Sequence, residues 1–186
     1  MTSQIVGLLE DVDAPADTLT SATIAIPAMD FVVQWHRCGM TADYLADYFA
    51  YAFARREVAR SVISTVANEL LENAAKFTID KRSLVHISGW LRGEALEIEV
   101  ENITNARHAA TLSTVLEALS RGEATQLFAE RLESKERGGL GLIVLAKDYG
   151  ARLGARIASP VGAASGSTTI SVTVRASIAA DEVEQR

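Results

Sequence analysis

Residues 83–102 read SLVHISGWLRGEALEIEVEN, and the fold follows from this stretch. Val85, Ile87 and Leu91 alternate with His86, Ser88 and Trp90, Arg92-Gly93-Glu94 turns the chain, and Leu96, Ile98 and Val100 then alternate with Glu97, Glu99 and Glu101. A period of two places successive side chains on opposite faces, so the segment predicts an antiparallel hairpin with one buried face and one acidic face turned to water. Such a sheet needs a covering layer on one side only, and the flanking sequence supplies it. Leu45, Tyr48, Phe49, Ala52 and Phe53 predict a first helix over about 42–55, with Thr41 and Asp43 at its start. Val58, Val62, Val66, Ala67, Leu70, Leu71 and Ala74 predict a second from Glu57 to Phe77. Upstream, the β-branched and aromatic residues of Ser21 to Trp35, grouped around Pro27, read as one or two short strands. Downstream, Leu112, Val115, Leu116 and Leu119 predict a helical insertion, Leu140 to Tyr149 a helix ended by Gly150, and ARLGARIAS and TTISVTVRA two closing strands. Helices on one face of a mainly antiparallel, mixed sheet make a two-layer α+β sandwich.

The chain has 186 residues, 48% hydrophobic and 23% charged, with 18 basic and 24 acidic side chains and a net charge of −6. That describes one domain, expected over 21–176, with flexible segments at 1–20 and 177–186. A lone Cys38 cannot form an internal disulfide, and His36, His86 and His108 are too scattered for a Cys/His zinc site; they read as incidental. No run approaches the roughly eighteen apolar residues of a membrane span, and the acidic start lacks the basic flank of a signal. A pI near 5.1 without a basic cluster argues against a nucleic-acid partner. The expected setting is cytoplasmic, with no membrane or nucleic-acid partner.

Three features carry chemistry. In NELLENAAKF, Glu69, Asn73 and Lys76 fall at i, i+4 and i+7, so a carboxylate, an amide and an ammonium share one helix stripe. Such a set activates a hydroxyl, holds a divalent cation through an amide oxygen and neutralises phosphate, the needs of phosphoryl transfer. In ERGGLGLIVLAKDYG, Gly138, Gly139 and Gly141 open an apolar helix, where bare backbone N–H groups and the helix dipole favour an anion. Thr168 opens the last strand with a hydroxyl. Taken alone, each has an ordinary structural reading: a solvated helix face, a tight packing turn, a good strand residue.

Their order changes the weight. Glu69 to Thr78, a hairpin, a helical lid over 103–137, Gly138-Gly139-Leu140-Gly141-Leu142 and finally Thr168-Thr169-Ile170 together resemble the GHKL ATPase superfamily over about Val58 to Arg175. The resemblance implies the Bergerat α/β sandwich, with ATP and Mg2+ as cofactors. Glu69 resembles the general base of anti-sigma-factor serine kinases, Asn73 the magnesium ligand, and Lys76 the residue facing the phosphates. Gly138, Gly139, Leu140, Gly141 and Leu142 match the phosphate-binding box, and Thr168 the threonine beside the nucleotide. Glu101-Asn102-Ile103-Thr104-Asn105, the lid and KERGGLGLIVLAKDYG are similar to the SiaB-like kinases, which phosphorylate a small SiaC-type protein. The segment WHRCGMTADYLADYFAYAF also resembles cyanobacterial-type members of this ATP-binding group.

One departure stands out. The family's Asp-x-Gly-x-Gly is replaced by Asn102, with Thr104 and Ala106 at the glycine positions. Asn102 still accepts a bond from the adenine amino group through its amide oxygen, at a cost of about 1 kcal/mol against a charged acceptor. The expected function is therefore a serine/threonine protein kinase acting on a small SiaC-like or anti-sigma-antagonist-like regulatory protein. The alternative is a non-catalytic module that sequesters a partner, its nucleotide site degenerate or an effector site. A third reading is a homodimer through the aromatic helix Tyr44 to Phe53, whose aromatics read more readily as core.

Overall fold

Pro27 divides the first part of the chain. Before it, Ser21–Pro27 is a strand; after it, Ala28–Val33 is a helix rather than a second strand. A proline has no N–H to continue a ladder, and the helix that follows has its first amides met from elsewhere: Ala28 donates to the carbonyl of Ser83 and Met29 to that of Lys81, at 3.0 and 2.7 Å. The computed structural model describes residues 3–8, 20–133, 139–159 and 169–184. In chain order these give β1 (Gln4–Gly7), β2 (Ser21–Pro27), α1 (Ala28–Val33), α2 (His36–Ala50), α3 (Arg56–Phe77), β3 (Leu84–Arg92), β4 (Ala95–Asn105), α4 (Ala106–Ser120), α5 (Ala124–Glu133), α6 (Leu140–Tyr149), β5 (Arg152–Ala158), β6 (Thr169–Ala179) and α7 (Ala180–Glu184).

The six strands form one sheet in the order β1-β5-β6-β4-β3-β2, every described pair antiparallel. The hairpin lies where its alternation predicts, Ile87 opposite Val100 and Leu91 opposite Leu96. The inner face of these strands meets α2 and α3 in a core that includes Phe31, Leu45, Phe49, Ile63, Leu70, Leu71, Ile87 and Ile98. Gly89 lets α2 approach the sheet, since a Cβ there would lie 2.6 Å from a ring carbon of the buried Phe49. The two-layer α+β expectation holds, and the sheet is antiparallel rather than mixed.

Several boundaries move for physical reasons. α2 begins at His36, six residues before the expected start, because Thr41 is not its cap: the hydroxyl donates back to the Arg37 carbonyl at 2.8 Å, a bond made inside a helix. The aromatics of this region divide. Phe49 and Phe53 are core, whereas Tyr44, Tyr48 and Tyr51 are exposed. β4 runs on to Asn105, so 103–105 belong to the sheet, although the expected lid begins at 103; Asn105 caps α4, its side chain accepting from the His108 N–H at 2.9 Å. Both ends expected to be flexible contribute structure, with Gln4–Gly7 paired to β5 and Val183 of α7 fully buried.

The acidic face of β4 also differs from a solvated one. Glu97 is only 1% exposed, contacts Arg92 and lies 3.5 Å from the Arg175 guanidinium, while Glu99 takes two N–H groups of Arg175 at 2.6 and 2.9 Å. Arg175 in turn lies over the buried Trp90 ring, 5.0 Å from its centroid. Neighbouring strands supplied the opposite charges that the β4 sequence alone does not show. Among the described residues no helix is long and apolar enough to cross a membrane.

Candidate functional site

Under α4, between the inner face of β4–β6 and the C-terminal half of α3, lies a cavity of about 350 Å³, the size of a small-molecule site. Asn73, Lys76, Asn102, Gly139 and Leu142 line it, so residues far apart in the sequence converge on one space. Glu69, Leu140 and Gly141 do not line it. Glu69 lies beside it instead, one turn before Asn73, against the start of α6. Gly138 and Thr168 are outside the described residues.

The α3–α6 contact depends on a missing side chain. A Cβ on Gly141 would lie 1.9 Å from Glu69 Oε2 and 3.5 Å from Asn73 Nδ2, so the carboxylate occupies space that only glycine leaves open. Burial, with the Glu72 charge adding to it, pushes the Glu69 carboxyl above its ordinary value. No basic side chain pairs with it among the described residues. Asn73 is held by its own helix: Nδ2 donates to the Glu69 carbonyl at 2.8 Å, which leaves Oδ1 to accept or to coordinate. Lys76 is exposed at the rim, its Nζ 5.2 Å from the Phe77 ring centroid. Gly139 holds a left-handed φ of 86° as the N-cap of α6, whose first-turn amides carry no side-chain cap.

The floor is polar where the inner face of β4 had been apolar. Asn102, 6% exposed, donates from Nδ2 to Thr78 Oγ1 at 3.1 Å. Thr104 Oγ1 donates to the Phe77 carbonyl at 2.9 Å and lies 3.3 Å from His108 Nδ1. With the Thr104 proton so committed, Nδ1 of a neutral His108 must be the donor, and Nε2 is left as acceptor. His108, read from the sequence as incidental, thus lines the cavity, its ring edge-on to Phe77 at 5.1 Å. Arg131 of α5 reaches the same space. Spacing gave no sign of either; a cation and an imidazole inside an otherwise helical apolar pattern were the available cue. Cys38 is no candidate nucleophile, since burial first and the Glu72 charge second push its thiol up to about 11.

The donor set fits a nucleotide with a divalent ion. The uncapped helix start at Gly139 suits phosphate, the Asn73 amide oxygen suits the ion, and apolar walls from Leu70, Val100 and Leu142 suit a base. Among the described residues no group of three or more His, Cys, Asp or Glu side chains is placed to hold a metal unaided. An ion here would therefore rely on phosphate oxygens beside Asn73.

No family model matches the chain, and no curated protein matches it either. Its fold is similar to a chain of the SiaB–SiaC complex from Pseudomonas aeruginosa, with a TM-score of 0.58 and 15% identity over 91% of this chain and 100% of that one. At that identity the likeness establishes the fold.

Proposed function

We propose that this protein is an ATP- and Mg2+-binding regulatory protein of the GHKL type, built on the Bergerat sandwich, that transfers the γ-phosphoryl group to a serine or threonine of a small partner. The observation that carries the reading is the convergence of Glu69, Asn73, the start of α6 and Asn102 around one cavity. The ion bound beside Asn73 would supply charge neutralisation on the phosphates. Glu69, with its carboxyl raised by burial, takes the proton of the attacking hydroxyl. The amides of Gly139 to Leu142 hold phosphate oxygens, Lys76 offsets their charge at the rim, and Asn102 meets the base. The partner is SiaC-like or anti-sigma-antagonist-like, which the SiaB–SiaC fold likeness supports.

A second reading has its own observation. Thr104 stands where the family has glycine and its hydroxyl is tied to Phe77, which narrows the floor and favours a partner-binding module with an effector nucleotide. Titration with a fluorescent ATP analogue, with and without Mg2+ and competed by ATP, tests both. The kinase reading expects Mg2+-dependent binding that Asn73→Ala weakens. Glu69→Gln keeps that affinity and lowers transfer to the partner by about a hundredfold or more. Absence of binding at millimolar nucleotide refutes the nucleotide site.

A further inference from the structure

Thr78 does not line the cavity, yet it determines what Asn102 presents there. The residue closes α3, is 2% exposed, and its hydroxyl donates to the Ala74 carbonyl at 2.6 Å. A threonine hydroxyl carries one proton, and this one is spent, so towards Asn102 Oγ1 can only accept. The Asn102 group 3.1 Å away must then be the amide NH2 and not the carbonyl oxygen. The relay runs from Asn102 NH2 to the Thr78 hydroxyl to the Ala74 carbonyl, and it leaves Asn102 Oδ1 as the group for a ligand.

The geometry points to Thr78 as a positioning residue that fixes the Asn102 amide and so selects a purine carrying a 6-amino group over one carrying a 6-oxo group. The inference rests on reading the cavity as a nucleotide site. An aspartate at position 102 would offer acceptors whichever way it turned. An asparagine offers either a donor or an acceptor, and its recognition is defined only when something behind it settles the choice. The burial of both partners makes the choice firm, because a reversed amide would set two acceptors against each other with no water to relieve them.

The test is competition binding of ATP and ITP, which differ at the 6-position, to the full chain with Mg2+. Wild type should prefer ATP by about tenfold, the ratio that one well-placed hydrogen bond supplies. Thr78→Val removes the acceptor behind the amide, lets it turn, and should bring the ratio close to one; Thr78→Ser should restore it. A purely structural role for Thr78 would weaken both nucleotides alike and leave the ratio in place, which would overturn the inference. In an Asn102→Asp background the same Thr78→Val change should leave the preference for ATP intact, because a carboxylate has no donor to turn inward. Side-chain amide NMR of the nucleotide-free protein gives an independent reading: the Asn102 NH2 should exchange slowly in wild type and faster in Thr78→Val. Equal wild-type affinity for both nucleotides would refute the selection while leaving the nucleotide site standing. Binding of neither would refute both.

Discussion

Two glutamates withdrawn from water show how differently this molecule uses a carboxylate. Glu97, on the outer face of β4, is enclosed between Arg92 and Arg175, and the neighbouring Glu99 shares Arg175. Glu69, on α3, is half-buried against the bare backbone of Gly141 with no basic partner among the described residues, and its carboxyl is pushed up by burial. The first arrangement is closed: its charges offset one another. The second is open, since a carboxyl held towards its neutral form beside a cavity is poised to take a proton. Burial alone therefore does not separate the two carboxylates; the presence or absence of a counter-charge does.

Removing one of the two counter-charges should move the first site towards the second at a large cost. Arg175→Met leaves the buried Glu97 with Arg92 alone and Glu99 without two hydrogen bonds, and the expected loss is about 3–5 kcal/mol in urea unfolding. A loss below about 1 kcal/mol would mean that water reaches these carboxylates, and the contrast would fail. Nucleotide affinity of the folded protein should be unchanged, because Arg175 faces away from the cavity.

Gly141→Ala addresses the second site with a smaller effect on stability. The atom that the new Cβ meets is the end of a flexible side chain, so Glu69 moves aside while the fold stays within about 1 kcal/mol of wild type, the alanine adding helix propensity. Carbon-detected titration of the Glu69 carboxyl should show its midpoint return towards the ordinary value of about 4.3. An unmoved midpoint would show that the Gly141 contact is not what withdraws the carboxylate from water.

The smallest effect concerns pH. Because the folded state raises the Glu69 carboxyl, ionising it costs stability at neutral pH, and that cost is relieved as pH falls through the raised value towards the ordinary carboxylate range. Glu69→Gln should therefore be more stable than wild type at pH 7, with the difference vanishing near pH 4 by the ordinary carboxylate value of about 4.3. An advantage of Glu69→Gln that instead grew on acidification would mean that Glu69 stabilises the fold through a partner.

The helix stripe and the hairpin were legible because each is local. Glu69 and Asn73 stand one turn apart in any helix, and Leu96, Ile98 and Val100 share a face in any strand. The site drawn from them was partly legible: Asn73, Lys76, Asn102, Gly139 and Leu142 do converge on one cavity. His108, Arg131 and Thr78 were missed for a common reason. Each gains its role from a neighbour distant in sequence: His108 from its packing on Phe77, Arg131 from the return of α5 to the cavity, Thr78 from Asn102 across 24 positions. The β4 glutamates were misread for the same reason, since alternation reports which face a residue takes and not what stands opposite.

By itself the sequence determined the periods and the breaks: a two-residue repeat that makes the hairpin, a helical repeat that gives α3 its apolar side, and glycines that open and close α6. These depend on bond geometry and on the burial of apolar surface, which act over a few residues. Only the tertiary structure decided which carboxylates are paired, which way the Asn102 amide faces, and that Glu69 lies against Gly141. Those outcomes turn on single hydrogen bonds and on ångström-scale distances between segments that meet only when the sheet has assembled.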